Sequence, residues 1–230
     1  MKVLRVTCVA TLVGVLLGFT GSTGSMSGAV LPGEQHAAHW NPPGKPGFEV
    51  WLADQSDTRA GYGGQILIFE GERLYRKHPE RAAPAVRLDL GGATSDLCRT
   101  ATGRNPVRPH MILSNPQQSH AVVSFVASGH VVIFDAEKRT PLQCFETTVG
   151  STGTRQAHAA YPSPDGSYVL VANQNGKRLE RIDTDYSSNS FVHNPPATLD
   201  LATCTTPNGL PCQSADIRPD NAPICPIIDS

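Results

Sequence analysis

The 230-residue sequence has no CxxC and no CxxCH pattern. Neither a zinc ribbon nor a covalently attached c-type haem is therefore expected. Its serines lack a Gly-x-Ser-x-Gly context, which removes the nucleophile elbow of an α/β-hydrolase. Gly61-Tyr-Gly-Gly64 lacks the strand, glycine loop and helix order that cradles phosphate, and reads as an insertion turn. Aromatic residues make up only 6%, and no long apolar period of 3.6 follows residue 30. A helical protein is thus disfavoured. Charged residues are 17% and hydrophobic ones 39%, which does not indicate disorder. What is plentiful is glycine (21) and proline (19), the punctuation of short strands and tight turns.

The N-terminus reads as an export signal. Lys2 and Arg5 precede an uncharged apolar run, Val6 to Phe19, and Ser27-Gly28-Ala29 fits a small-x-small cleavage site before Val30. The run is 14 residues, short of the ~20 that span a bilayer. Residues 1–29 are thus expected to be a signal peptide, and 30–230 a periplasmic or extracellular domain with no stable transmembrane span. Cleavage would leave 17 Lys and Arg against 20 Asp and Glu, a net charge of −3. That balance gives no attraction for nucleic acid or an anionic membrane, and leaves a small molecule or a protein as partner. Five cysteines would remain: Cys98, Cys144, Cys204, Cys212 and Cys225. An oxidising compartment permits disulfides. Cys204 and Cys212 are close enough in sequence to close a small loop, and the odd count leaves at least one cysteine unpaired within the chain.

The mature part repeats. His110-Met-Ile-Leu-Ser-Asn-Pro116 aligns with His158-Ala-Ala-Tyr-Pro-Ser-Pro164, 48 residues on. Ser119 then faces Ser167, Val123 faces Val171 and Asp135 faces Asp183, without a gap. Backwards, Val50-Trp-Leu-Ala-Asp-Gln55 meets Val169-Leu-Val-Ala-Asn-Gln174, and Ile66-Leu-Ile-Phe69 meets Val131-Val-Ile-Phe134 after a six-residue insertion. Forwards, Arg218-Pro219-Asp220 matches Arg108-Pro109-His110. Units therefore begin near 39, 110, 158 and 220.

Each unit reads as four short strands. In the second unit they are placed at 110–114, 120–126, 130–135 and 142–148. In the third they are placed at 158–161, 168–172, 178–183 and 198–201. Leu88-Asp-Leu90 and Leu199-Asp-Leu201 mark last strands, each followed by a Gly/Thr-rich loop ending in Cys98 or Cys212. Asp54 and Asn173 share one position at a strand end, where Asn and Asp start turns. Four-stranded units in series indicate propeller blades. The expected fold is all-β: an incomplete β-propeller of WD40/YVTN-like blades, about three and a half of them. A β-sandwich is the rival, but it requires no unit register.

Ala157-His158…Ser163-Pro-Asp-Gly-Ser-Tyr-Val-Leu-Val-Ala-Asn173…Arg181-Ile-Asp183 resembles the YVTN-type repeat of exported propellers of the cytochrome d1-like and YVTN lactonase-like group. The resemblance covers about residues 36–230 and is sharpest over 155–185. It implies a fold rather than one activity, since the group includes surface-layer proteins, lactonases, haem d1 proteins and copper-dependent nitrous oxide reductase. Such rings commonly close with about seven blades. The chain is accordingly expected to be a truncated propeller with exposed, poorly soluble edges.

The register places His39, His110, His158 and Asp220 at one blade position, the start of the first strand. In a propeller that strand lines the central channel, so equivalent positions converge around the axis. Converging imidazoles and a carboxylate can ligate copper or another transition metal, or exchange protons near neutral pH. The competing reading is that a polar residue at a strand start simply bonds the next blade. In lactonase-like members a Pro-His or His on the inner strand contributes to the channel site, a resemblance that extends to Pro109-His110 and His158. His36-Ala-Ala-His39-Trp40 resembles the His-rich start of nitrous oxide reductase only faintly, lacking its adjacent His pair. Two functions follow as expectations: a ligand- or protein-binding module, or a propeller enzyme with an axial histidine site, either a metal-dependent oxidoreductase or a lactonase-like hydrolase. His78, His120, His130 and His193 fall outside the register and read as surface or core histidines. Arg108 is expected to pair with an acid.

Overall fold

Alternating and continuous apolar runs between Gly, Pro and Asp turns give strands, and the strands hairpin in chain order. The computed structural model describes residues 47–55, 63–150, 153–201 and 222–228, all within one compact unit. The signal segment 1–29, His39, Asp220 and the Cys204–Cys212 pair lie outside the described residues.

The first sheet is β1 (Glu49–Asp54), β2 (Gln65–Glu70) and β3 (Val86–Asp89), in that order. The second is β4 (Pro109–Ser114), β5 (His120–Phe125), β6 (His130–Asp135) and β7 (Thr140–Glu146). The third is β8 (Ala157–Pro162), β9 (Tyr168–Asn173), β10 (Arg178–Asp185) and β11 (Ser190–His193), with β12 (Leu199–Asp200) also on β10. All pairings are antiparallel. β1 pairs with β2 as β9 pairs with β10, and β2, like β6, lies between two strands.

The middle sheet is buried on both faces. Val123 and Phe125 of β5, with Val132 and Phe134 of β6, pack with Trp51, Ile66 and Ile68 of the first sheet. Their alternates Val122, Val131 and Ile133 pack with Ala160, Val169, Val171 and Ile182 of the third. Period-two alternation thus sends neighbouring side chains into two different cores. Each fully buried aliphatic or aromatic side chain contributes about 1.5–3 kcal/mol. A two-sheet sandwich would leave one face of every sheet wet. A serial stack of up-and-down sheets with a doubly buried member is a run of propeller blades, and this is the fold.

Three elements differ from the sequence reading. The Gly/Thr-rich segment before Cys98 is not loop throughout: after a one-turn helix α1 (Gly71–Leu74), Ala93–Thr102 forms helix α2, closed by Gly103 at φ 78°, whose N–H donates to the Arg99 carbonyl at 2.9 Å. Left-handed geometry at a helix end is where glycine is cheapest. Cys98 on α2 joins Cys144 on β7 in a disulfide, clamping the helix to the outer strand of the second blade. Cys225 is free and exposed. In the third blade, the outer strand expected at 198–201 is divided. β11 pairs the far half of β10 at Ile182–Asp185, and β12 pairs Arg178 and Leu179. Pro195 and Pro196 stand between them in a short 3₁₀ turn. Proline cannot donate to the ladder, so it interrupts the strand there. Residues 222–228 form no regular element.

Candidate functional site

In both inner strands one residue is left out of the ladder. Pro109 pairs with Phe125 and Met111 with Ser124, so His110 is the extra residue of a bulge in β4. Ala157 pairs with Asn173 and Ala159 with Ala172, so His158 is the extra residue of the matching bulge in β8. A bulge bends its strand and re-aims the side chain it carries. The two imidazoles meet edge to face, their centroids 4.5 Å apart and their planes at 73°. The shared register thus does bring His110 and His158 together, across the boundary between blades.

Neighbouring groups hold the bulges. The Ser124 hydroxyl donates to the His158 carbonyl at 3.0 Å and accepts from the Met111 N–H at 3.3 Å, tying one bulge to the other. Gln55, beyond the end of β1, donates to the Pro109 carbonyl at 2.8 Å. Its amide oxygen accepts from Arg108, whose φ of 63° is left-handed. Arg108 therefore pairs with an amide and not with the acid expected of it. Such a backbone costs about 1–3 kcal/mol and persists where surroundings enforce it.

The two rings differ in exposure. His110 is exposed and His158 half-buried, with a buried Nδ1 that meets no hydrogen-bond partner among the described residues. The pKa of His110 is lowered, first by desolvation, then by His158 and Arg108. At neutral pH His110 is a neutral imidazole with a lone pair to offer. Among the described residues no three His, Cys, Asp or Glu side chains cluster closely enough to hold a metal. His39 and Asp220, the other members of the expected set, are outside those residues.

The histidines outside the register have structural surroundings. His78 sits beside Glu80 on the surface. His120 bonds Ser119 and Asn189 and packs on Tyr186 and Phe191. His193 contacts Glu180 at 2.9 Å. Sequence reasoning missed the partner groups Ser124, Gln55 and Glu180; the one signal available was Glu180 standing at the repeat position that Val132 holds in the second unit.

His130 is fully buried, with Nε2 2.9 Å from the Thr102 hydroxyl. Burial first, then Arg104, pushes its pKa down to about 4. The unfolded ring binds a proton near pH 6.5, so the folded chain binds fewer protons between these values. Stability is complete above pH 6.5 and falls as pH drops toward 4, by roughly 3 kcal/mol for this group. Urea unfolding at pH 7.5 and 4.5 checks this: the difference should shrink in His130→Gln.

No protein-family model matches the chain, and no curated protein matches it. Solved structures of similar fold include the periplasmic gluconolactonase of Pseudomonas aeruginosa, at 15% identity over 70% of this chain and 44% of that one, with a TM-score of 0.45. Dihydro-haem d1 dehydrogenase NirN matches at 15% identity over 58% of this chain and 21% of that one, TM-score 0.38. The β-propeller domain of Cps50 (Swd1) from Myceliophteria thermophila matches at 15% over 53% and 32%, TM-score 0.34. The matched region spans less than half the length of each of these proteins. The described residues are consecutive blades of a β-propeller, as their own sheet order and doubly buried middle blade establish.

Proposed function

We propose that this chain is an exported propeller module that binds a ligand at the inner-strand histidine pair. The observation that carries the reading is the matched bulges, which bring the His110 and His158 rings edge to face. A purely structural polar residue would be expected to spend its ring nitrogens on the neighbouring blade. The Nδ1 of His158 does not among the described residues, and Ser124 already performs that fastening. Two imidazoles on facing strands suit copper or another transition metal. His39 and Asp220 are the register-equivalent residues that would complete such a set. Export is supported by the segment 1–29, and by the Cys98–Cys144 disulfide, a bond characteristic of oxidising compartments. No helix among the described residues is long and apolar enough to cross a membrane.

A second reading has one observation in its favour. The depressed pKa of exposed His110 keeps it competent as a general base at neutral pH. That would suit an axial enzyme, either a lactonase-like hydrolase or, with a metal, an oxidoreductase.

Metal analysis of the purified full chain, followed by copper and zinc titration, tests the first reading. His110→Ala and His158→Ala are each expected to lower metal binding by tenfold or more, on the order of one lost ligand. If both variants retain wild-type metal and ligand binding, the histidine pair is not the site.

A further inference from the structure

A second constellation lies at the same strand end but shares no residue with the histidine pair. The stretch before β4, the β5–β6 turn, the stretch before β8 and the β9–β10 turn border an open cleft of about 750 Å³ between the second and third blades. We infer that this cleft binds a small oxyanion, a carboxylate or phosphate group on a larger molecule, through Arg104, Arg155, Ser128 and Asn105.

The argument is one of unspent donors. Arg104 and Arg155 both engage a single acid, Glu146. Arg104 Nη2 contacts Oε1, and Arg155 Nη1 lies 2.8 Å from Oε2. Two guanidinium charges against one carboxylate leave a surplus of one positive charge. His130, 3.8 Å from Glu146, adds none, because burial keeps it neutral near pH 7. Arg155 is held in place. Its Nη1 also donates to the Thr147 carbonyl at 2.9 Å, and its stem crosses Gly129 so closely that a Cβ there would lie 2.6 Å from Cγ. Arg104 follows α2 directly and has its side chain 53% exposed, open to a ligand.

The neutral groups point the same way. The Ser128 hydroxyl accepts from the Val107 N–H at 2.9 Å, so its own proton remains to be donated. The Asn105 amide oxygen accepts from Arg99 Nη1 at 2.9 Å. Arginine only donates, which fixes the orientation of the Asn105 amide and leaves its NH₂ to face outward. Each acceptor on these two residues is thus satisfied by the protein, while the donors are left over. Two guanidiniums, a hydroxyl and an amide NH₂ around one cleft match an oxyanion and mismatch a cation. The open cleft has room beyond an inorganic ion, which suits an anionic group carried on an organic molecule.

Calorimetric titration of the full chain with inorganic phosphate and with malonate, at fixed ionic strength, tests this. Saturable binding of at least one probe is expected, and the tighter one identifies the anion class. Arg104→Ala should weaken it about tenfold or more, the scale of one charge-assisted hydrogen bond. Glu146→Gln should tighten it, since the competing carboxylate is removed while the amide keeps its shape. Arg73→Ala, an exposed arginine remote from the cleft, should leave it unchanged. Should Glu146→Gln fail to fold, Arg104→Lys decides instead, with affinity between those of the wild type and the alanine variant. No saturable binding of either probe, or equal losses in Arg104→Ala and Arg73→Ala, would overturn the assignment.

Discussion

Replacing Cys98 and Cys144 together with alanine will lower the unfolding free energy by about 4 kcal/mol, the chain-entropy value for a loop of this length. The bridge spans 46 residues and encloses β4, β5 and β6 entire. Cut, the unfolded chain regains the freedom of that loop. The folded chain loses more than a link. Both cysteines belong to the core shared with Trp51, Ile66 and Phe134. α2 has no side-chain cap at its start, and at 10 residues it is too short to persist alone. Its hold on the second blade is Cys98, the Thr102–His130 contact and Leu97 at the edge of the core. Urea unfolding followed by the fluorescence of buried Trp51 measures the loss. A change below about 1 kcal/mol would mean that packing, not the bridge, sets the helix in place. Full reduction of the wild type should reproduce the double-variant midpoint.

Asn173→Ala will cost about 3–5 kcal/mol, the range for breaking a buried polar network that includes a charge. Asn173 is fully buried. Its amide oxygen accepts from the Gln156 and Gly176 N–H groups, and its NH₂ donates to the Thr148 carbonyl and to Glu180, each at 2.7 Å. Glu180 is 1% exposed and also accepts from the Thr148 N–H and hydroxyl, with His193 at 2.9 Å. One truncation therefore strands two backbone donors, a carbonyl and part of a buried carboxylate. Gly176→Ala should be similarly harmful, because a Cβ there would sit 2.2 Å from Asn173 Nδ2 with no space to retreat. Thermal unfolding by circular dichroism gives both values, and a fall in Tm of only a degree or two would show that water replaces the lost partners.

The strands were legible because a shared fold constrains apolar register more tightly than identity. β5, β6, β9 and β10 fall within one or two residues of the expected spans. The same register anticipated the meeting of His110 and His158, although not the bulges that aim them, since a bulge leaves no signature beyond its one extra residue. The register also put Asp54 and Asn173 at one turn position. Asp54 accepts from Gln65 at 2.9 Å, while Asn173 is the hub of a buried network, a difference set by what the next blade presents. α2 was not legible. Ala93-Thr-Ser-Asp-Leu-Cys-Arg-Thr-Ala-Thr102 carries few apolar residues and is ordered by a distant cysteine rather than by its own periodicity. The anion cleft was equally hidden, because Arg104 and Arg155 stand in connecting segments before β4 and β8, at positions that the repeat register does not equate.

Ser124 fastens the second blade to the third through the His158 carbonyl, yet the matching residue of the third blade is Ala172, which has no hydroxyl. Glu180 likewise replaces Val132 and Leu67 at one repeat position. Gln55 with Arg108 and Arg139 with Glu49 serve the first boundary, while Ser124, Glu180 and the His120–Asn189 pair serve the second. Each junction is therefore keyed to its own two blades. Interchangeable repeats invite misassembly, in which a blade docks on the wrong neighbour or on another molecule. A wrongly docked blade would leave the Ser124 hydroxyl without the His158 carbonyl and Glu180 without the Thr148 donors, so the divergence between repeats favours one order of stacking.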